Sequence, residues 1–173
     1  MGPARRTAAA QAEAAAAFDK LDADGTGTLQ SYQELNALSE WVARRFYGAG
    51  ATVADEAETY ALVLDAVSQA DTDGSEAIDR AEFSAWYTCL SEGKALFARA
   101  DTRGAGKVQG EELSALAELL ARSRHADLGA MSVEDVMAIL DGLCETDANG
   151  DEAVDFGEFM TYYGKKATKS AAA

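Results

Sequence analysis

Two twelve-residue stretches carry residues that could do chemistry together. Residues 71–82 read DTDGSEAIDRAE, with Asp71, Asp73, Ser75, Asp79 and Glu82 at positions 1, 3, 5, 9 and 12, and Ala77 at position 7. Residues 147–158 read DANGDEAVDFGE, with Asp147, Asn149, Asp151, Asp155 and Glu158 at the same positions and Ala153 at position 7. Each of these side chains offers oxygen, apart from the two alanines, which can offer only a backbone carbonyl. Hard divalent cations take oxygen ligands, and calcium takes six to eight of them. A loop that wraps calcium supplies them from these positions, with the glutamate at position 12 binding through both of its oxygens. Two calcium sites are therefore expected, with magnesium the competing ion at rest.

Both stretches depart from the usual pattern at position 6, where a positive φ favours glycine. Glu76 and Glu152 stand there instead. A non-glycine residue in the left-handed region costs roughly 1–2 kcal/mol, or about tenfold in affinity per loop if nothing offsets it. Gly74 and Gly150 at position 4 offer another way round the turn, and the added carboxylates partly offset the loss.

Two further stretches are degenerate. Residues 22–33 read DADGTGTLQSYQ and form a weaker candidate site, with Asp22, Asp24, Thr26 and Thr28 at positions 1, 3, 5 and 7. Gln33 falls at position 12 and offers one neutral oxygen, while Glu34 comes one residue late. Residues 101–112 read DTRGAGKVQGEE, where Arg103 puts a cation at position 3 and Ala105 brings no side-chain ligand at position 5. That loop is expected to be structural rather than metal-binding.

These loops recur within a duplicated chain. Phe18, Asp22, Gly27 and Leu29 match Phe97, Asp101, Gly106 and Val108 at an offset of 79. Asp71, Asp73, Asp79, Glu82 and Phe83 match Asp147, Asn149, Asp155, Glu158 and Phe159 at an offset of 76. An internal repeat of this kind implies two halves, each with two loops. Helices must position the loops. Leu35, Leu38, Trp41, Val42 and Phe46 recur at helical spacing, as do Val133, Val136, Met137, Leu140 and Cys144, and both stripes are expected to be core. Thr52 with Asp55 and Ser132 with Asp135 read as capping boxes. Residues 47–51 and Ser91–Gly93 read as breaks, the latter as the boundary between halves. The expected organisation is an alanine-rich extension over 1–17, halves at 18–91 and 92–164, and a mobile basic tail over 165–173. The fold class is all-α, with short β-bridges between paired loops.

Composition narrows the function. The formal net charge is −15, a field that repels nucleic-acid backbone and suits cations or a basic partner segment. Cys89 and Cys144 lack a CxxC spacing and read as reduced core thiols, which fits a cytoplasmic protein. His125 reads as a surface residue in a polar stretch. No membrane span or secretory leader is expected, and Pro3 with a late Thr7 argues against myristoylation of Gly2.

The loop residues of 71–82 and 147–158, with Phe83 and Phe159 after them, resemble the EF-hand proteins of the calmodulin superfamily, including sarcoplasmic-type members. The resemblance covers about residues 18–163. It implies four helix–loop–helix units in two pairs, with position 8 bridging each pair: Leu29 to Ile78 and Val108 to Val154. Loop starts at 22, 71, 101 and 147 are spaced unevenly, unlike those of calmodulin, and the short interval between pairs favours compact lobes over a long exposed central helix. The function implied is a calcium sensor or calcium-responsive adapter acting on a helical segment of a protein partner. The scarcity of methionine favours one dedicated partner. The alternatives are a structural subunit of a cytoskeletal or ciliary assembly and a calcium buffer. With no nucleophile–base pair in view, an enzyme is the least expected reading.

Overall fold

The computed structural model describes residues 3–47, 68–124, 132–147 and 149–171. His125, the capping box at Thr52 and Asp55, and the break at residues 48–51 lie outside them. The chain divides into two compact units, residues 1–91 and 92–173, and it is mostly helical.

In the first unit, α1 (Pro3–Leu21) opens on the chain's only proline. At a first helical position its missing N–H would lack a partner anyway. The following loop ends at β1 (Thr28–Leu29) and enters α2 (Tyr32–Val42), which widens into a π turn over Ala43–Tyr47. A second loop follows the helical residues 68–70 and runs through β2 (Ile78–Asp79) into α3 (Arg80–Ala100). β1 and β2 pair antiparallel, Thr28 facing Asp79 and Leu29 facing Ile78. Strands this short are marginal alone, and these are anchored by Leu29 and Ile78, both fully buried. An aromatic cluster beneath them joins α1, α2 and α3. Phe18 meets Phe83 edge-on with centroids 5.6 Å apart, and Trp41 packs on Phe83 and Tyr87 at 5.9 and 5.5 Å.

The second unit repeats the plan. The remainder of α3 leads through a loop and β3 (Lys107–Val108) to α4 (Glu111–Arg124). Then α5 (Val133–Cys144) leads through a loop and β4 (Val154–Asp155) to α6 (Phe156–Ala171). β3 and β4 pair antiparallel, Lys107 facing Asp155 and Val108 facing Val154. Phe97 packs against Phe156 and Phe159, both at 5.6 Å. The C-terminal segment expected to be a mobile tail is helical as far as Ala171.

Two other expectations give way. Ser91–Gly93 is no break, because α3 runs through it unbroken, although the division between the two units does fall there, after Ser91. Gly93 serves close packing instead: a Cβ there would meet Met160 Sδ at 2.6 Å. On α5 the stripe Val133, Val136, Met137, Leu140 and Cys144 is not the core face. Val133 is 78% and Met137 52% exposed, and Cys144 is exposed too, whereas Ile139 and Leu143 are buried. This helix is apolar on several sides, so periodicity does not choose a face. The bare surface of Gly142 does, since it lets the Tyr162 ring come so close that a Cβ would lie 2.5 Å from Cε2. Ile139, Gly142 and Leu143 share one side of the helix. Among the described residues no helix is long and apolar enough to cross a membrane.

Candidate metal centres

The four loops share one backbone frame, built around the aspartate at the first position. Its Oδ2 accepts the amide of the sixth residue in each: Gly27 on Asp22 at 3.0 Å, Glu76 on Asp71 at 3.0 Å, Gly106 on Asp101 at 2.8 Å and Glu152 on Asp147 at 3.0 Å. The sixth residue has positive φ every time, 84° and 77° at the two glycines, 61° at Glu76 and 58° at Glu152. Gly74 and Gly150 are also left-handed, so they add to the turn without relieving the glutamates. Glu76 and Glu152 are the non-glycine residues with positive φ among those described.

Loop 71–82 brings carboxylate oxygens of Asp71, Asp73 and Glu82 within 4.8 Å of one another. Asp79 holds the glutamate in place as the N-cap of α3, its Oδ1 accepting the Glu82 amide at 2.8 Å. Glu82 reaches back across the loop, where Oε1 accepts the Thr72 amide and hydroxyl at 2.8 and 2.9 Å and Oε2 accepts the Asp79 amide at 3.1 Å. The Ser75 hydroxyl donates to the Ala77 carbonyl at 3.2 Å, which brings together the donors expected at positions 5 and 7. Desolvation pulls the Asp71 carboxyl upward, but the amides of Glu76, Gly74 and Ser75 outweigh it and hold the group below its usual range. The donor set is all oxygen and mostly anionic, which fits a hard divalent cation.

Loop 22–34 assembles a second group, Asp22, Asp24 and Glu34, within the same distance. Glu34 takes the place expected of Gln33, which is exposed on α2. The extra residue shifts the start of the helix and the glutamate together. Ser31 replaces an aspartate as N-cap, its Oγ accepting the Glu34 amide at 3.3 Å while Glu34 Oε2 accepts the Ser31 amide at 3.1 Å. Glu34 Oε1 meanwhile accepts the Ala23 amide at 3.1 Å. Glu34 is 2% exposed; desolvation raises its pKa, yet the hydrogen bonds from Ser31 and Gln30 bring it below the usual value. The pattern Ser31-x-x-Glu34 is a capping box in the sequence, and that signal identifies the glutamate. Thr26 donates its hydroxyl to the Thr28 carbonyl at 3.2 Å, as Ser75 does to Ala77.

Loop 147–158 gathers no such trio among the described residues. Asp155 caps α6, with its Oδ1 2.9 Å from the Glu158 amide, and Glu158 Oε2 accepts the Asp155 amide at 3.0 Å. Asn149 donates Nδ2 to Glu158 Oε1 at 3.2 Å. Asp151 accepts the buried Ala153 amide on Oδ1 at 3.0 Å, and its Oδ2 lies 3.1 Å from Lys107 Nζ on the paired loop. The Lys107 hydrogen bond holds the Asp151 carboxyl below its usual range against desolvation.

Loop 101–112 holds a cation of its own. Arg103 sets Nη2 2.7 Å and Nε 3.1 Å from Glu112 Oε2, while Thr102 Oγ1 and the Arg103 amide donate to Oε1 at 2.8 and 3.1 Å. These contacts, led by the Arg103 hydrogen bond, lower the Glu112 pKa to about 2. No family model matches the chain, and no curated protein matches it significantly.

Proposed function

We propose that the protein is a calcium-binding protein of the EF-hand type, acting as a calcium sensor or calcium-responsive adapter on a protein partner in the cytoplasm. The observation that carries this reading is the convergence of Asp71, Asp73 and Glu82 within 4.8 Å, in a loop whose Ile78 is bridged to Leu29 of a second loop with the same frame. Calcium takes six to eight oxygen ligands, and carboxylates brought this close together in one loop supply several of them. Loop 147–158 repeats the ligand types and the Asp155 cap. Each glutamate is the third residue of a helix, so binding at the loop pulls directly on the exiting helix. That is the lever by which such units change the angle between their helices.

Glu112 favours a second reading for part of the molecule. A loop that neutralises its own glutamate with Arg103 needs no metal to hold its shape, as suits a structural subunit of an assembly.

The test is calcium calorimetry on the whole protein in millimolar magnesium, beside Glu82→Gln and Glu158→Gln variants, with tryptophan emission and hydrophobic-dye binding recorded. Two sites near micromolar affinity, each lost with its glutamate, together with a dye signal, support the sensor. Two tight sites without a dye signal indicate a buffer. Absence of binding at millimolar calcium rejects the calcium reading and leaves assembly.

A further inference from the structure

The two intact loops carry the same number of candidate ligand carboxylates. Asp71, Asp73, Asp79 and Glu82 stand in one, and Asp147, Asp151, Asp155 and Glu158 in the other. Ligand charge count is a main determinant of calcium affinity in such loops, so the sequence of the loops alone predicts matched sites. Their surroundings differ. The residue across the bridge from Asp79 is Thr28, which is neutral and makes a hydrogen-bonding contact with Thr26 in its own loop. The residue across from Asp155 is Lys107, and its ammonium lies 3.1 Å from Asp151 Oδ2, a candidate ligand at position 5. In the first unit Arg80 also stands beside a loop, yet it turns away, paired with Asp19 and lying 4.8 Å over the Phe18 ring.

We propose that Lys107 sets the calcium affinity of loop 147–158, because an entering cation must displace the Lys107 ammonium from Asp151, so that this loop binds calcium more weakly than loop 71–82. The inference rests on the calcium reading of loop 147–158. The register of the bridge supplies the geometry: pairing Lys107 with Asp155 puts a four-carbon side chain alongside the partner loop. The ammonium opposes metal in two ways, by occupying a ligand oxygen and by repelling a divalent ion at short range. With the lysine side chain 48% and the aspartate side chain 39% exposed, solvent screens the pair, and the effect is about three- to tenfold in affinity.

The experiment uses the full chain carrying Asp24→Asn and Glu82→Gln, which removes a carboxylate from each of the acidic groups of loops 22–34 and 71–82 and leaves loop 147–158 as the site to titrate. Lys107, Lys107→Met and Lys107→Arg are compared in that background by calcium calorimetry at low and high ionic strength. Circular dichroism of the calcium-free proteins confirms the fold of each. The expected result is three- to tenfold tighter binding for Lys107→Met and near-native affinity for Lys107→Arg. The Met effect should shrink as salt rises, since a Debye length near 10 Å at about 0.1 M falls to about 3 Å at 1 M. Unchanged affinity in Lys107→Met, or equal changes in Met and Arg, overturns the role of Lys107 and leaves the calcium reading intact. If neither form binds calcium, the reading of the loop fails, and the Lys107 proposal with it.

Discussion

The Arg103 guanidinium stands against the Glu112 carboxylate, Nη2 lying 2.7 Å and Nε 3.1 Å from the same oxygen, Oε2. Glu112 is 8% exposed, and a carboxylate removed from water in this way needs a partner. Three and twelve are candidate ligand positions in loops 71–82 and 147–158, and in loop 101–112 the arginine at position 3 gives Glu112 at position 12 the countercharge that a cation would otherwise supply.

A pH dependence follows from that pairing. The folded pKa of Glu112, about 2, lies below its ordinary value of 4.5. The pairing therefore contributes stability that is fully present above about pH 4.5 and is lost as pH falls toward 2. Arg103→Ala should lower the melting temperature at pH 7 by a few degrees, and the difference between the two proteins should narrow between pH 4.5 and 2. Thermal melts at a series of pH values check this. A constant difference down to pH 2 would show that the arginine acts through packing rather than charge.

Glu34 and Gln33 predict opposite responses. Glu34→Gln leaves the amides of Ala23 and Ser31 facing a weaker, neutral acceptor in a buried setting, at a cost of about 1–3 kcal/mol. Ser31→Ala removes the cap and should cost about 1 kcal/mol. Gln33→Ala lies on the exposed side of α2 and should fall within about 0.5 kcal/mol of the parent. Urea denaturation of the three variants measures the order. A larger effect at Gln33 than at Glu34 would reject the thirteen-residue register of this loop.

How far the sequence could be read depended on how local each feature was. Asp71, Asp73, Asp147 and the bridging pairs Leu29–Ile78 and Val108–Val154 follow from spacing within the loops and from the repeat. Counting twelve residues from Asp22 gives Gln33 at the last position, whereas the helix cap at Ser31 fixes Glu34 beside Asp22 and Asp24. The buried face of α5 depends on Tyr162 meeting Gly142, a contact between helices that periodicity does not encode. Lys107 on Asp151 is likewise a contact across 44 residues, set by bridge register and invisible to either loop alone.

Strain at Glu76 gives a third prediction. Its φ of 61° costs roughly 1–2 kcal/mol, and glycine relieves that while adding unfolded-state entropy worth roughly 0.5–1 kcal/mol. Glu76→Gly should therefore stabilise the calcium-free protein by about 0.5–1 kcal/mol. Glu152→Gly should do the same, since its φ is 58°. Denaturant midpoints in chelator decide the point, and a loss of stability in both variants would mean that each glutamate makes contacts worth more than its backbone strain.

Gly142 and Gly93 separate two uses of glycine inside a helix. Replacing either by alanine gains about 1 kcal/mol of helix propensity, so the sign depends on what the new methyl meets. At Gly142 it meets the Tyr162 ring, 2.5 Å from Cε2 and 3.2 Å from Cδ2. Tyr162 is 6% exposed, so the ring has little room to turn, and overpacking of this kind costs typically 1–3 kcal/mol. At Gly93 the methyl meets the thioether end of Met160, with Sδ at 2.6 Å and Cε at 3.4 Å, and approaches the Tyr163 ring at 3.3 Å from Cδ1. Met160 is just as buried, at 4% exposed, but an unbranched side chain with several rotatable bonds can shift its end by a rotamer adjustment that a rigid ring cannot make. Gly142→Ala should therefore destabilise the second unit by up to about 2 kcal/mol, while Gly93→Ala should be neutral or mildly stabilising. Equilibrium denaturation followed by far-ultraviolet circular dichroism distinguishes them. Equal losses at both positions would mean that Met160 is as rigidly held as the Tyr162 ring, and that helix packing leaves no slack on either side of this core.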